Sequence, residues 1–170
     1  MRRALECLLA SDVLGVRAAY VATAAAIRNR TLSTFDMSAR VRLTKTPNQY
    51  HATRAQRREL SYEALLEHGH DDWAPGDRIR VYRAARGRAG LLLDSDAEGS
   101  GATETNQDAR DYDVDYYLRV LRETFAARLA RGLSADDFAA ICAAPEQLTL
   151  FERSLANARP VLTVLSAPML

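Results

Sequence analysis

Six cations fall within residues 37–60: Arg40, Arg42, Lys45, Arg54, Arg57 and Arg58 stand against one acid, Glu59. A chain whose net charge is only +1 thus gathers +5 in 24 residues. A second basic run follows, with Arg78, Arg80 and Arg83 set among Ile79, Val81 and Tyr82. Guanidinium groups repeated along an extended segment suit phosphate oxygens, which they can grip through two parallel N–H bonds. Each phosphate neutralised makes affinity fall with salt, without reading sequence. The same charges also suit a solvated sheet edge, where they discourage strand-to-strand aggregation. Net charge this small means that any attraction to nucleic acid must come from local patches.

Other chemistries find weaker footing. His68, His70, Asp71 and Asp72 lie in HGHDDW, two imidazoles and two carboxylates close enough in sequence to suggest a metal or a metal-dependent hydrolase. Their spacing is neither a helical pair four apart nor that of a paired finger, so an acidic turn before Trp73 and Pro75 is the simpler reading. No nucleophile elbow, glycine-rich phosphate loop or zinc-protease helix is present. Cys7 and Cys142 are too few and too far apart for a disulfide framework and read as buried thiols. The sequence thus carries no self-sufficient active site and calls for no cofactor of its own.

The elements that must position the cations can be read from periodicity. Residues 1–31 read as two helices, one with Ala4, Leu5, Leu8 and Leu9 on its apolar face. The other is capped by Ser11 or Asp12 and carries Val13, Val16, Tyr20, Ala24 and Ile27. A helix opening at Met1 fits a chain that starts partway through a larger architecture. Residues 32–36 read as a connector. Ala39, Val41 and Leu43 alternate with Arg40, Arg42 and Thr44, which predicts a short strand with a basic face. Pro47 stops it and permits a helix over 49–66 with Tyr50, Leu60 and Leu65 partly buried. Pro75-Gly76-Asp77 predicts a turn into a second basic strand, and Arg86-Gly87-Arg88 a turn into a return strand over 90–93.

Residues 94–111 lack apolar periodicity and read as a flexible acidic loop; the sum over 94–115 is −7. Val114, Tyr117, Leu118, Leu121, Phe125 and Leu129 form a stripe predicting one helix over 113–131, with Asp111 or Asp113 as its cap and Gly132 as its stop. Ser134 with Asp137 predicts a cap for a short helix that buries Phe138 and Ile141. The tail over 146–170 holds Pro160 and Pro168 and is unlike a long helix. No signal peptide or apolar run long enough to span a bilayer is seen in the sequence, which suits a cytoplasmic, nucleoid-associated protein.

Taken in order, VRLTKTPNQY, PGDRIRVY and DYDVDYYLRVLRETFAARL resemble the C-terminal part of bacterial family B DNA polymerases of the polymerase II type. The first is similar to the family's strand entering the thumb, the second to its Gly-Asp-basic-hydrophobic strand, and the third to its paired-tyrosine helix, with Tyr116 and Tyr117 as the pair. Gln147-Leu148-Thr149-Leu150-Phe151 resembles the bacterial sliding-clamp-binding pentapeptide. Physically, Leu150 and Phe151 would fill an apolar pocket while the Gln147 amide fixes register, with Leu148 alongside. The same apolar residues could equally cover the chain's own core. The resemblance covers nearly the whole chain, with 94–110 as an insertion.

The resemblance implies an α+β, mainly helical fold: palm-end helices over 1–36, a thumb-like DNA-gripping domain over 37–144, and a tail over 145–170. It implies primer–template DNA as partner, the rest of the polymerase (palm, fingers and exonuclease) as neighbours, and the sliding clamp as a further partner. The family's catalytic Asp-Thr-Asp-Ser, its Ser-Leu-Tyr-Pro motif and its exonuclease carboxylates are absent, and two-metal phosphoryl transfer needs such carboxylates. Mg²⁺ is therefore expected only for a complete polymerase, and no nucleotide incorporation by this chain alone. The expected DNA contacts are Arg40, Arg42, Lys45, Arg54, Arg57 and Arg58, then Arg78, Arg80 and Arg83. The alternative is a non-catalytic module that binds the clamp through residues 147–151.

Overall fold

Asp12 sets the first corner of the chain. Its carboxylate accepts the backbone N–H of Gly15 at 2.8 Å and so caps α2 (Val13–Arg28), which follows α1 (Arg2–Leu9). Gly15 has no substitute here, because a Cβ would lie 2.1 Å from the Asp12 carboxylate and 2.8 Å from Cys7 Sγ. The computed structural model describes residues 2–92, 108–143, 155 and 158–161. After α2 come α3 (Thr34–Met37), β1 (Ala39–Arg42), α4 (Pro47–Arg54), α5 (Leu60–Glu67), β2 (Arg78–Arg83) and β3 (Ala89–Leu92). Next is α6 (Val114–Val120), then a π-helical turn over Leu121–Phe125, a 3-10 stretch over Ala126–Gly132 and finally α7 (Ala135–Cys142). The fold is α+β and mostly helical.

The chain forms two compact units, one of Met1–Asn29 with Tyr117–Leu170 and the other of Arg30–Tyr116. The division that the resemblance implies, with 37–144 as one domain, is drawn along the chain instead. In the helical unit, Leu8, Val16, Tyr20, Ala24, Leu121, Leu129 and Ile141 are buried. Arg17 crosses more than a hundred residues of sequence to donate to the carbonyls of Ala140, Ile141 and Ala143 at 2.7, 3.0 and 3.1 Å. Those carbonyls at the end of α7 have no helical partner, so the guanidinium acts as their cap. Ser134 caps the other end of α7 by accepting the Asp137 N–H, as its spacing predicted.

Several expectations are corrected here. Leu5 and Leu9 are 51% and 66% exposed, so the buried face of α1 is narrower, Ala4 and Leu8 alone. The predicted helix over 113–131 is helical throughout but changes type at Leu121, and the change of winding turns Phe125 outward. Residues 32–36 are more than a connector, since Ser33 and Asp36 form a reciprocal capping box that starts α3. Cys7 is only half-buried, whereas Cys142 is buried and its thiol pKa is pushed up by that burial.

In the other unit the three strands form an antiparallel sheet in the order β1-β2-β3. Ala64 of α5 lies against Val81 and Ala89, with Val41, Leu60, Ile79 and Leu91 around them. A neighbouring cluster joins Leu43, Tyr50, Tyr62, Leu65 and Trp73. Tyr50 and Tyr62 stack with centroids 4.5 Å apart, and Trp73 lies 5.7 Å from Tyr62. The Tyr62 hydroxyl accepts the N–H groups of Thr44 and Lys45, and Trp73 Nε1 donates to the Lys45 carbonyl. These bonds pin the bend between β1 and α4, where Thr46 and Gln49 form a second capping box with Pro47 at the first helical position between them.

One helix over 49–66 was expected; two are found, broken over 55–59. Nothing in the local sequence forbids a continuous helix. Tyr50 and Tyr62 are twelve residues apart, about 120° apart around a straight helix, and could not stack on one another in it. The break lets them meet.

Candidate nucleic-acid interface

Register decides where the arginines go. Arg40 pairs with Arg80 and Arg42 with Arg78 across β1 and β2, while Val41 pairs with Ile79 and Ala39 with Val81. Side chains alternate along a strand, so the four arginines share one face, opposite the face that α5 covers. Directly opposed side chains have Cβ atoms about 5 Å apart, and alternate residues on one strand lie about 7 Å apart. The arginines therefore stand at the corners of a small rectangle. Like charges set directly opposite destabilise a sheet. Among the described residues Arg42 and Arg78 have no carboxylate partner, and both are exposed.

Arg80 is held. Its guanidinium lies 3.9 Å from the centroid of the Phe35 ring, and its Nη1 donates to Ser38 Oγ at 3.3 Å. Ser38 in turn donates to the Phe35 carbonyl at 2.7 Å. The ring, itself 42% exposed, thus props a cation rather than filling a core. Phe35 and Ser38 were not expected to matter. Ser38 continues the even-numbered alternation of Arg40 and Arg42, which is the one signal the sequence held.

Further along the same face Tyr82 opposes Gly90. Gly90 leaves the ring its room: a Cβ there would lie 2.2 Å from ring atoms of Tyr82. The Tyr82 hydroxyl donates to Asp111 at 2.8 Å, and Asp111 also meets Arg88 at 3.3 Å. Burial, helped by the Asp111 carboxylate, raises the phenol pKa, so Tyr82 stays neutral. Asp108 accepts the backbone N–H of Thr34 at 2.9 Å and also bonds its hydroxyl, while Arg30 donates to the Tyr112 carbonyl at 2.8 Å. The end of the expected acidic loop is thus tied to the start of α3; residues 93–107 lie outside the described residues.

The other half of the basic segment behaves differently. Lys45 Nζ meets Glu59 at 2.7 Å. Arg54 grips both oxygens of Glu63, at 2.8 and 3.0 Å. Tyr50 donates its hydroxyl to Glu63 at 2.6 Å and accepts the Glu59 N–H at 3.1 Å. The hydrogen bonds from Arg54, with that from Tyr50, hold the Glu63 carboxyl below its ordinary range against the opposing effect of burial. Arg57 and Arg58 are exposed in the break between the two helices. Arg83 alternates to the face away from Arg80, and its guanidinium lies 5.2 Å from the Tyr116 ring. The sheet therefore brings together Arg40, Arg42, Arg78 and Arg80, and leaves the other expected contacts elsewhere.

His68 ends α5, with Nδ1 2.8 Å from the Ala64 carbonyl, while His70, Asp71 and Asp72 are exposed. Among the described residues no three His, Cys, Asp or Glu side chains gather as a metal site. Residues 147–151, the expected clamp-binding peptide, lie outside the described residues. No helix among the described residues is long and apolar enough to cross a membrane. Comparison of the chain with protein-family models, curated proteins and solved structures found no match.

Proposed function

We propose that the chain is a nucleic-acid backbone-binding module, the DNA-gripping thumb portion of a family B DNA polymerase, holding primer–template duplex during replication or repair synthesis. The observation that carries the binding reading is the register of β1 on β2, which opposes Arg40 to Arg80 and Arg42 to Arg78. The Arg42–Arg78 pair, exposed and without a carboxylate partner among the described residues, adds nothing to the stability of the sheet, and a polyanion laid on that face relieves it. The polymerase assignment leans on the order of the resembling segments, which fall on β1 and α4, on β2, and on α6. The chain supplies grip and not chemistry, and it would work on the nucleoid beside the polymerase parts that hold Mg²⁺.

Fluorescence anisotropy of a labelled primer–template across a salt series tests the reading. The log of affinity is expected to fall linearly with log salt, by about 0.9 per phosphate neutralised. The R40Q/R42Q/R78Q/R80Q variant is expected to lose binding. A flat salt response, or unchanged binding by that variant, overturns the proposal. Primer extension by the purified chain is expected to yield no product.

A further inference from the structure

We infer that the arginine face seats two consecutive phosphates of one nucleic-acid strand, one between each cross-strand pair, with Phe35 and Ser38 as positioning residues for Arg80. This rests on the backbone-binding reading above and narrows it to a ligand unit. The rectangle of arginines has a short side across the strands and a long side along them. Its long side, about 7 Å between alternate residues, matches successive phosphates of one strand; these lie about 6–7 Å apart, beyond the 3.4 Å axial rise, because the backbone winds around its axis. Its short side, about 5 Å between opposed Cβ atoms, lets two guanidinium groups converge on a single anion. One phosphate goes between Arg40 and Arg80, the next between Arg42 and Arg78. A phosphate at the second position also screens Arg42 and Arg78, which face each other with no carboxylate partner among the described residues.

Arg80 is the corner held ready. Phe35 lies under its guanidinium and Ser38 accepts one of its N–H bonds, which leaves the remaining donors for a ligand. Fixing the side chain beforehand removes part of the ordering cost on binding.

The test uses the full chain and displacement of a fluorescent oligothymidylate. The competitors are 5′-phosphorylated thymidine dinucleotide (two phosphates flanking one nucleoside), thymidine monophosphate and pyrophosphate. The dinucleotide is expected to displace the probe at concentrations at least about tenfold lower than the other two. Removing one cross-strand pair, R40Q/R80Q or R42Q/R78Q, is expected to erase the dinucleotide's advantage. The diagonal R40Q/R78Q leaves one arginine per phosphate and retains part of it. Equal competition by pyrophosphate, or identical behaviour of paired and diagonal variants, overturns the two-phosphate site.

F35A is expected to weaken dinucleotide binding about three- to tenfold with the salt slope unchanged, because no charge is lost, and F35Y to restore it. S38A keeps the ring and is expected to weaken binding less. Unchanged affinity in both F35A and S38A overturns the positioning role, and S38A decides alone if F35A fails to fold. If the wild type grips duplex and the four-arginine variant does not, yet the dinucleotide shows no preference, this inference fails and the function stands. If the wild type binds no DNA, both fail.

Discussion

The two halves of residues 37–60 carry similar charge and meet opposite fates. In the helical half, Lys45 and Arg54 each find a carboxylate of the same unit, Glu59 and Glu63, and the tyrosine stack is built around those pairs. In the strand half, register sets Arg40 and Arg42 against two more arginines. The first arrangement pairs each cation with a carboxylate; the second leaves Arg42 and Arg78 face to face without one among the described residues. A cation's role here is decided by what the pairing partner brings, and that partner lies tens of residues away in sequence.

Opposite signs make the contrast easy to break. The largest effect should come from R40Q/R42Q/R78Q/R80Q, with duplex affinity at low salt falling at least about 100-fold and folding intact by circular dichroism. Gly90→Val should come next. It drives a branched side chain into the Tyr82 ring and should cost about 1–3 kcal/mol in urea melts, disturbing the strand beside the arginines. Glu63→Ala, in the helical half, should cost about 1–3 kcal/mol while duplex affinity at neutral pH stays within about twofold. R42Q/R78Q should do the reverse, raising stability by about 0.2–1 kcal/mol at low salt while weakening binding. If it destabilises the fold instead, the division between the halves is wrong.

Acid should sharpen the same division. The Glu63 carboxyl is depressed in the folded state, chiefly by Arg54, from an ordinary value of 4.5. Its contribution is therefore fully present above about pH 4.5 and is lost as pH falls below that toward the folded value. Thermal melts between pH 6 and pH 3 should show that loss in the wild type and a shallower one in Glu63→Gln.

What the sequence held was local. Alternation around Arg40 and Arg42, the stop at Pro47, the Pro-Gly-Asp turn and the Ser134 cap all act within a few residues, and β1, β2 and α7 are found beside those signals. The break over 55–59 was not legible, because it serves a stack between Tyr50 and Tyr62 that only the tertiary fold requires. Phe125 was read into a core stripe on an α-helical period that the chain abandons at Leu121. The arginine rectangle was half legible: each strand announced its charges, but only register shows them face to face. Phe35 was read as connector, since an aromatic under a guanidinium leaves no periodic trace.

The helical unit is assembled from both ends of the chain, with the sheet unit nested between them. On the ribosome this sets an order of events. Residues 1–29 are made before the sheet unit, yet Leu121, Leu129 and Ile141 are synthesised only after the whole of Arg30–Tyr116. At 5–20 residues per second that wait is roughly 4–20 s, far longer than a helical hairpin needs to form. The sheet unit has all its partners in hand and can fold during the delay. The α1–α2 hairpin meanwhile waits for α7, until Arg17 closes on the end of that helix as one of the last links made. Slowed translation across Arg30–Tyr116 should therefore lengthen the exposure of the nascent chain to holding chaperones.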